Sequence, residues 1–418
     1  MYSYILKQYD EEQQQLQREQ QSQKTPTKLI NYPQIKPSII NTNVAGFATI
    51  MSINLEYVNK LNRCKDRISK FNGNEWEELK KISNPYEHIY IFNGKNQYNG
   101  ISKIKPLSRS FFKMIEIGNE YLKDIFIGEL PLKTLHLAEG PGGFIEAVNY
   151  LRGEKAKRDE YFGITLIDKN KMVPCWTQSK QFLAVNPQVK ILYGVDETGN
   201  LYNPENILSL RDSLGGNNMC DLITGDGGFD FSVNYNFQEQ ASSKLIFSQI
   251  VCALRYLSVG DDKVFICKIF DMSNYLTVEL IYLVTLFFKT VVLYKPVTSR
   301  VANSEKYLVC RGYIGCDEEY WESLLNILTY WNKIEREIDE HKHKNTINFI
   351  FESIPSQFVL MVKDLNIKII DMQIESINST IDINKSGALK NYAWCEKNRK
   401  MQIEKAREWC VKNGIPFS

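Results

Sequence analysis

The sequence has no apolar run long enough to cross a bilayer: the longest, residues 276–288, is too short and carries Glu279 inside it. It has no apolar stretch near residue 1, which argues against a secretory leader there and makes a soluble, intracellular protein the expectation. Its nine cysteines show no pairing pattern, being odd in number, scattered, and without CxxC or Cys/His ligand spacing. That excludes a disulfide framework and a structural zinc site, and fits a reducing compartment. Histidine is scarce, four in 418 residues, and His341 and His343 lie in a charged run that reads as a solvated helix. Charge of one sign is not in excess either. With 51 basic and 49 acidic residues the net charge is +2, so any contact with a polyanion must come from local clustering.

What is present begins with length. The 418 residues accommodate a catalytic domain with flanking material, and an apolar fraction of 43% is enough for a sizeable core. Residues 1–37 are expected to be a disordered tail and linker. The stretch 8–24 is dominated by Gln and Glu with Leu16 its only aliphatic residue, and residues 26–37 hold three prolines. Residues 38–107 are expected to be helical, with Leu55, Val58, Leu61, Cys64 and Ile68 at helical spacing.

Between residues 108 and 315 the rhythm changes. Apolar runs at 134–138, 161–167, 221–224, 264–269, 290–294 and 306–311 read as strands. Helical patterns fall at 109–122, 144–151, 238–257 and 277–288. This alternation predicts an α/β, doubly wound parallel sheet, whose ligands bind at the carboxyl ends of the strands. Residues 316–418 are expected to be helical, clearest at 318–333 and 393–412.

One turn between strand and helix reads Leu137-Ala138-Glu139-Gly140-Pro141-Gly142-Gly143-Phe144. Its glycines let a ligand approach the backbone, and the helix start offers free N–H groups. A nucleotide-type ligand is one reading and a tight, ligand-free turn the other. The GxGxxG fingerprint is absent, which disfavours a nicotinamide-dependent oxidoreductase. Asp168, past the next strand, suits a ribose diol or is a solvated loop residue.

Charged residues occur where apolar strands end: Asp226 in TGDGG, Lys268 inside VFICKIF, and Glu305 in TSRVANSEKYLVC. A lysine flanked by apolar strand residues is costly to bury without partners, and Asp226 and Glu305 are natural ones. On an edge strand Lys268 would simply face water. Lys113, in SFFKMI on the helix before the sheet, is the fourth member of this group, although spacing cannot show that the four converge.

From about residue 108 to 313 the strings SRSFFKMIEI, LHLAEGPGGFIEA, FGITL, YNPENI, DLITGDGGFD, FICKIFD and KPVTSRVANSEKYLVCRGY resemble, in order and spacing, the FtsJ/RrmJ-like 2′-O-ribose methyltransferases. The resemblance is strongest to the mRNA cap methyltransferases of eukaryotes and large DNA viruses. It implies a Rossmann-like class I methyltransferase sheet and a catalytic tetrad of Lys113, Asp226, Lys268 and Glu305. It further implies an S-adenosylmethionine site at Glu139, Gly140, Pro141, Gly142, Gly143, Phe144 and Asp168. Gly199 and Asn200 would lie near the adenine, where the family often carries aspartate instead of Asn200, and Asp226 would border the cofactor. Arg109 and Asn303 would lie near RNA. No metal is implied, and Lys268 would act as general base or hold the 2′-oxygen.

The implied partner is single-stranded capped mRNA, with capping or transcription machinery a further expectation, and the implied address is nucleus, cytoplasm or a viral replication site. Candidate phosphate contacts are Lys103, Lys105 and Arg109, then the cluster Arg152, Lys155, Lys157 and Arg158, and the C-terminal Lys397, Arg399, Lys400, Lys405 and Arg407. The rival readings are the same chemistry on ribosomal or transfer RNA, and a catalytically silent RNA-binding subunit that keeps the fold.

Overall fold

Strict alternation of side chains explains the middle of the molecule. In the strand Gly260–Ile269, Val264 and Ile266 enter the apolar cluster on one side of the sheet, while Phe265, Cys267 and Ile269 enter the cluster on the other. A strand buried on both sides needs helices on both faces, which is the doubly wound arrangement. The computed structural model describes residues 2–8, 32–42, 50–92, 97–170, 173–228, 235–337 and 344–418.

The strands are β1 (Tyr2–Gln8), β2 (Ile35–Asn41), β3 (Lys133–Leu137), β4 (Glu160–Ile164), β5 (Val189–Leu192), β6 (Leu222–Gly225), β7 (Gly260–Ile269), β8 (Phe288–Lys295), β9 (Lys306–Tyr313) and β10 (Asn345–Phe351). Eight of them form one sheet in the order β1-β8-β9-β7-β6-β3-β4-β5. Pairing is parallel from β7 through β5, whereas β9 runs antiparallel to both β7 and β8. The chain winds outward from β3 to β5 and returns to β6 on the other side of β3. The crevice at that reversal is where a ligand is expected in such a sheet.

The helices Ser110–Tyr121 and Gly143–Arg152, together with the last helix Tyr392–Asn413, cover one face. The other face is covered by Pro204–Leu214, Gln238–Tyr256, Tyr275–Phe287 and Glu318–Arg336. The expected α/β class and the expected strands of the central region are present.

The flanks differ from expectation. Residues 2–8, assigned by composition to a disordered tail, form β1 on the sheet edge, antiparallel to β8, with Leu6 buried. The pattern Tyr2-Tyr4-Leu6 is the period-two signature of a half-buried strand, and the Gln-rich composition that follows it obscures it. Residues 35–37, assigned to the linker, begin β2, which pairs with β10 in a two-stranded sheet. Pro37 is tolerated there because both strands are edges. The flanks are therefore not purely helical. Residues 9–24 of the Gln-rich segment and His341 and His343 lie outside the described residues.

The two flanks meet each other. Leu61, Cys64, Trp76 and Leu79 of the helices Leu55–Asp66 and Gly73–Ser83 pack on Ile370, Ile377 and Ile381 of the long helix Ser356–Lys385. Fully burying each such leucine or isoleucine contributes about 1.5–3 kcal/mol. Lys65 ties this cluster to the eight-stranded sheet through an ion pair of 2.7 Å with Asp271, just past β7. Among the described residues no helix is long and apolar enough to cross a membrane.

Candidate active site

The turn after β3 closes because glycine relieves two conflicts. Gly142 adopts φ +104°, a left-handed conformation that other residues rarely take, and caps the helix Gly143–Arg152. A Cβ on Gly143 would fall 2.1 Å from Ser110 Oγ and 2.3 Å from Ser108 Oγ, so glycine here lets the turn press against the start of the helix Ser110–Tyr121. That contact sets the helix carrying Lys113 against the crevice.

Gly140 and Pro141 line a cavity of about 1060 Å³ at the carboxyl ends of β3, β4, β6 and β7. Glu139, Gly142, Gly143 and Phe144 shape the turn behind it. Glu139 is 3% exposed, and its Oε1 accepts the Phe144 N–H at 2.6 Å while Oε2 has no protein hydrogen-bond partner. Burial, reinforced by the Asp226 carboxylate, pushes its pKa well above the usual range. A cationic ligand would relieve both the unpartnered oxygen and the crowding of acids. On that observation the residues present fit S-adenosylmethionine, which carries a sulfonium and an ammonium.

The far wall is built by Gly199, Asn200, Leu201 and Tyr202. Gly199 has φ +65°, and a Cβ there would sit 1.9 Å from the Thr165 carbonyl oxygen. Asn200 spends its side-chain oxygen on the Tyr202 N–H at 2.9 Å. Asp168 is exposed and accepts from the Asn170 N–H at 2.7 Å. It does not line the cavity, where Thr165 and Leu166 occupy the positions closer to the end of β4.

The four charged residues converge. Lys113 Nζ lies 2.7 Å from Glu305 Oε1, and Lys268 Nζ lies 3.2 Å from Asp226 Oδ1 and donates to the Asp226 carbonyl at 2.7 Å. Asp226, Lys268 and Glu305 line the same cavity as the glycine turn. Burial disfavours the Lys268 charge, but the carboxylates of Asp226, Glu305 and Glu139 outweigh it and hold the pKa above the ordinary value. Burial likewise works against the Glu305 charge, yet Lys113 and Lys268 hold its pKa down to about 2. Lys268 and Glu305 are therefore each held in the charged form by the groups around them. Lys268 is not on an edge strand: β7 lies between β6 and β9.

Two participants are invisible to motif reading. Tyr307 donates its hydroxyl to Asp226 Oδ1 at 2.9 Å, and Ser299 donates to Glu305 Oε1 at 3.0 Å. Tyr307 stands two residues beyond Glu305 and directly opposite Lys268 in the β7–β9 register, so period-two alternation was the available signal. The cavity's outer wall comes from the flanks, through Lys65, Trp76, Lys80, Gln373 and Ile377. Nothing in their sequence pattern marks these residues as site residues.

On the substrate side, Arg109 and Asn303 both line the cavity. Arg109 is ion-paired with buried Glu87 at 3.1 Å and donates to the Thr298 carbonyl at 3.3 Å, and Glu87 also accepts from Arg300 at 2.8 Å. Lys103 and Lys105 are exposed. Arg152, proposed above as a phosphate contact, is wholly enclosed instead. It grips Asp159 at 2.7 Å and donates to the carbonyls of Phe126, Gly128 and Leu130 at 3.1, 2.8 and 2.8 Å. Lys155, Lys157 and Arg158 pair with Glu129 or Glu154. Of the C-terminal cluster, Lys405 pairs with Glu408 at 2.7 Å, while Lys397, Arg399, Lys400 and Arg407 are exposed.

Comparison with known proteins gives three results. Residues 106–313 match the family described as FtsJ-like methyltransferase. The chain is 33% identical over 264 residues to a cap-specific mRNA (nucleoside-2′-O-)-methyltransferase 1 of Danio rerio, covering 60% of this chain and 30% of the relative. It is 32% identical over 367 residues to the protein of the same description from Xenopus laevis, covering 85% of this chain and 40% of the relative. The chain thus spans well under half the length of these relatives. A solved structure of a putative ribosomal RNA methyltransferase from Plasmodium falciparum aligns at a TM-score of 0.35 and 23% identity, covering 50% of this chain and 99% of that one.

Proposed function

We propose, for a chain whose residues 106–313 belong to the FtsJ-like methyltransferase family, that it transfers a methyl group to the ribose 2′-hydroxyl of a cap-proximal nucleotide in messenger RNA. The observation that carries this reading is the convergence of the Lys113–Glu305 and Lys268–Asp226 pairs on the cavity that the glycine turn borders. The descriptions of the Danio rerio and Xenopus laevis relatives favour a cap over ribosomal or transfer RNA. The complete set of charged residues speaks against a silent subunit.

Bound in the crevice, S-adenosylmethionine would supply an already activated sulfonium methyl for in-line attack by the ribose oxygen, with S-adenosylhomocysteine as the leaving group and the hydroxyl proton released to solvent. The protein's own work is positioning and electrostatics. Lys268 is held as an ammonium, so it serves the 2′-oxygen as a hydrogen-bond donor rather than as a resting neutral base. Asp226 is oriented for this by Tyr307, and Glu305 by Lys113 and Ser299. Arg109 and Asn303 contact the RNA, which enters as a single strand because a duplex would keep its ribose out of a deep pocket. The nucleus or cytoplasm, in contact with capping or transcription machinery, is the corresponding setting.

The test is transfer of labelled methyl from S-adenosylmethionine to matched short RNAs, one capped with 7-methylguanosine and one uncapped. Transfer to the capped RNA alone, lost in Lys268→Ala, is the expected result. Equal transfer to both RNAs points to a broader RNA target, and transfer to neither sinks the reading.

A further inference from the structure

We propose that Lys295 and Lys306 are positioning residues that fix the loop carrying Glu305 from the opposite face of the sheet. The proposal rests on the methyltransferase reading above.

The loop joining β8 to β9, residues 296–305, is bracketed by two lysines. Lys295 closes β8 and donates to the carbonyls of Asn303 at 2.6 Å and Glu305 at 2.7 Å. Lys306 opens β9 and donates to the carbonyl of Ser304 at 2.7 Å and to that of Phe270, beyond the end of β7. Three consecutive carbonyls, 303 to 305, are thus held from below by two ammonium groups. The register Tyr294↔Tyr307 makes the lysines cross-strand neighbours. They share the parity of Leu293 and Leu308, which enter one apolar cluster, whereas Tyr294 and Tyr307 enter the other. Glu305 has the parity of Tyr307, so the lysines act through the loop and not on the reactants.

Such an arrangement is costly. The lysines are 3% and 1% exposed, and two amino groups buried side by side lose hydration and set like charges against each other. A turn that merely joined two strands would not need them. Here the loop carries a half-buried carboxylate at Glu305 and a cavity residue at Asn303, and neither has helix or sheet bonds to hold it. The groups facing Lys295 are Lys306, Glu305, Lys113 and Asp271, and those facing Lys306 are Asp271, Glu239, Lys65 and Glu305. Burial and the like charges bring Lys295 to about 7 and Lys306 to about 8.

The experiment compares full-length wild type, Lys295→Met, Glu305→Gln and the double variant, using capped RNA. Melting temperature and S-adenosylmethionine affinity report the fold and the cofactor site. In Lys295→Met, kcat is expected to fall on the order of 10- to 100-fold, the cost of misplacing a catalytic group by about 1 Å, with cofactor affinity within about threefold. In the Glu305→Gln background the same change is expected to cost less than about threefold, because the residue through which it acts is already lost. An unchanged kcat beside an active wild type, or full multiplication of the two losses, overturns the positioning role. If Lys295→Met does not fold, Lys306→Met, which removes a single loop contact, decides by the same readouts. Failure of the wild type itself to methylate RNA strikes instead at the methyltransferase reading.

Discussion

Lys113 and Glu305 stand 192 residues apart in the chain, yet their charged groups meet at 2.7 Å with both side chains 14% exposed. One comes from the helix Ser110–Tyr121 that precedes β3 and the other from the loop before β9. Their pairing fixes the distance between those two elements at the mouth of the crevice. Lys113 is the nearest of the positive charges on Glu305, with Lys268 and Lys295 adding to them.

Removing both partners should therefore cost less than the two single losses added together. Lys113→Ala is expected to destabilise the protein by about 1–3 kcal/mol, since it takes the nearest counter-charge from a largely enclosed carboxylate that keeps Lys268 and Ser299. Lys113→Ala combined with Glu305→Ala is expected to cost less than the sum of the two single changes. Denaturant unfolding of the three variants measures both quantities, and strict additivity would remove the pair from the account.

The same pair sets an acid limit. The Glu305 pKa is depressed to about 2 from an ordinary 4.5, so its stabilising contribution is complete above 4.5 and is lost as pH falls toward 2. Glu305→Gln should flatten the stability profile in that window. A profile that keeps its slope in the variant assigns the acid sensitivity elsewhere.

Lys268→Ala is expected to lower single-turnover methyl transfer by about 10²–10⁴, the usual scale for losing a group that handles a proton or a developing charge. S-adenosylmethionine binding, followed by equilibrium dialysis, should persist. Loss of binding with the fold intact would make Lys268 a cofactor residue instead.

Gly199→Ala tests the far wall. Its left-handed backbone alone costs a side chain about 1–2 kcal/mol, and the added Cβ would meet the Thr165 carbonyl oxygen at 1.9 Å. Weaker S-adenosylmethionine binding and a lowered melting temperature are expected together. Unchanged binding would show that this wall does not face the cofactor.

Arg152 separates structure from recognition. Its enclosure by Asp159 and three carbonyls predicts that Arg152→Ala destabilises the protein by about 3–5 kcal/mol, as for any broken buried pair. The salt dependence of RNA binding should keep its slope, because no phosphate contact is lost. A shallower slope in a folded variant restores Arg152 to the RNA surface.

What the sequence determined by itself is local and periodic. Val264 to Ile269 alternates faces, the glycine turn sits between a strand and a helix, and charged residues fall at strand ends. Each of these follows from steric rules within a few residues, so most central strands and the four charged candidates were legible, whereas β5 and the antiparallel course of β9 were not. β1 and β2 were obscured because neighbouring Gln- or Pro-rich composition swamps the signal of a short edge strand, and β10 because a single apolar run among helical patterns does not show its partner. Only the tertiary structure decided which charges pair. The sequence offers Arg152 and Lys295 as basic residues like any others, yet one closes a carbonyl cage and the other donates to the loop that carries Glu305. It decided too that the flanks wall the cavity, through Trp76 and Ile377 packed in one cluster. Burial and counter-charge are properties of the space around a residue, and that space is filled by segments hundreds of residues away.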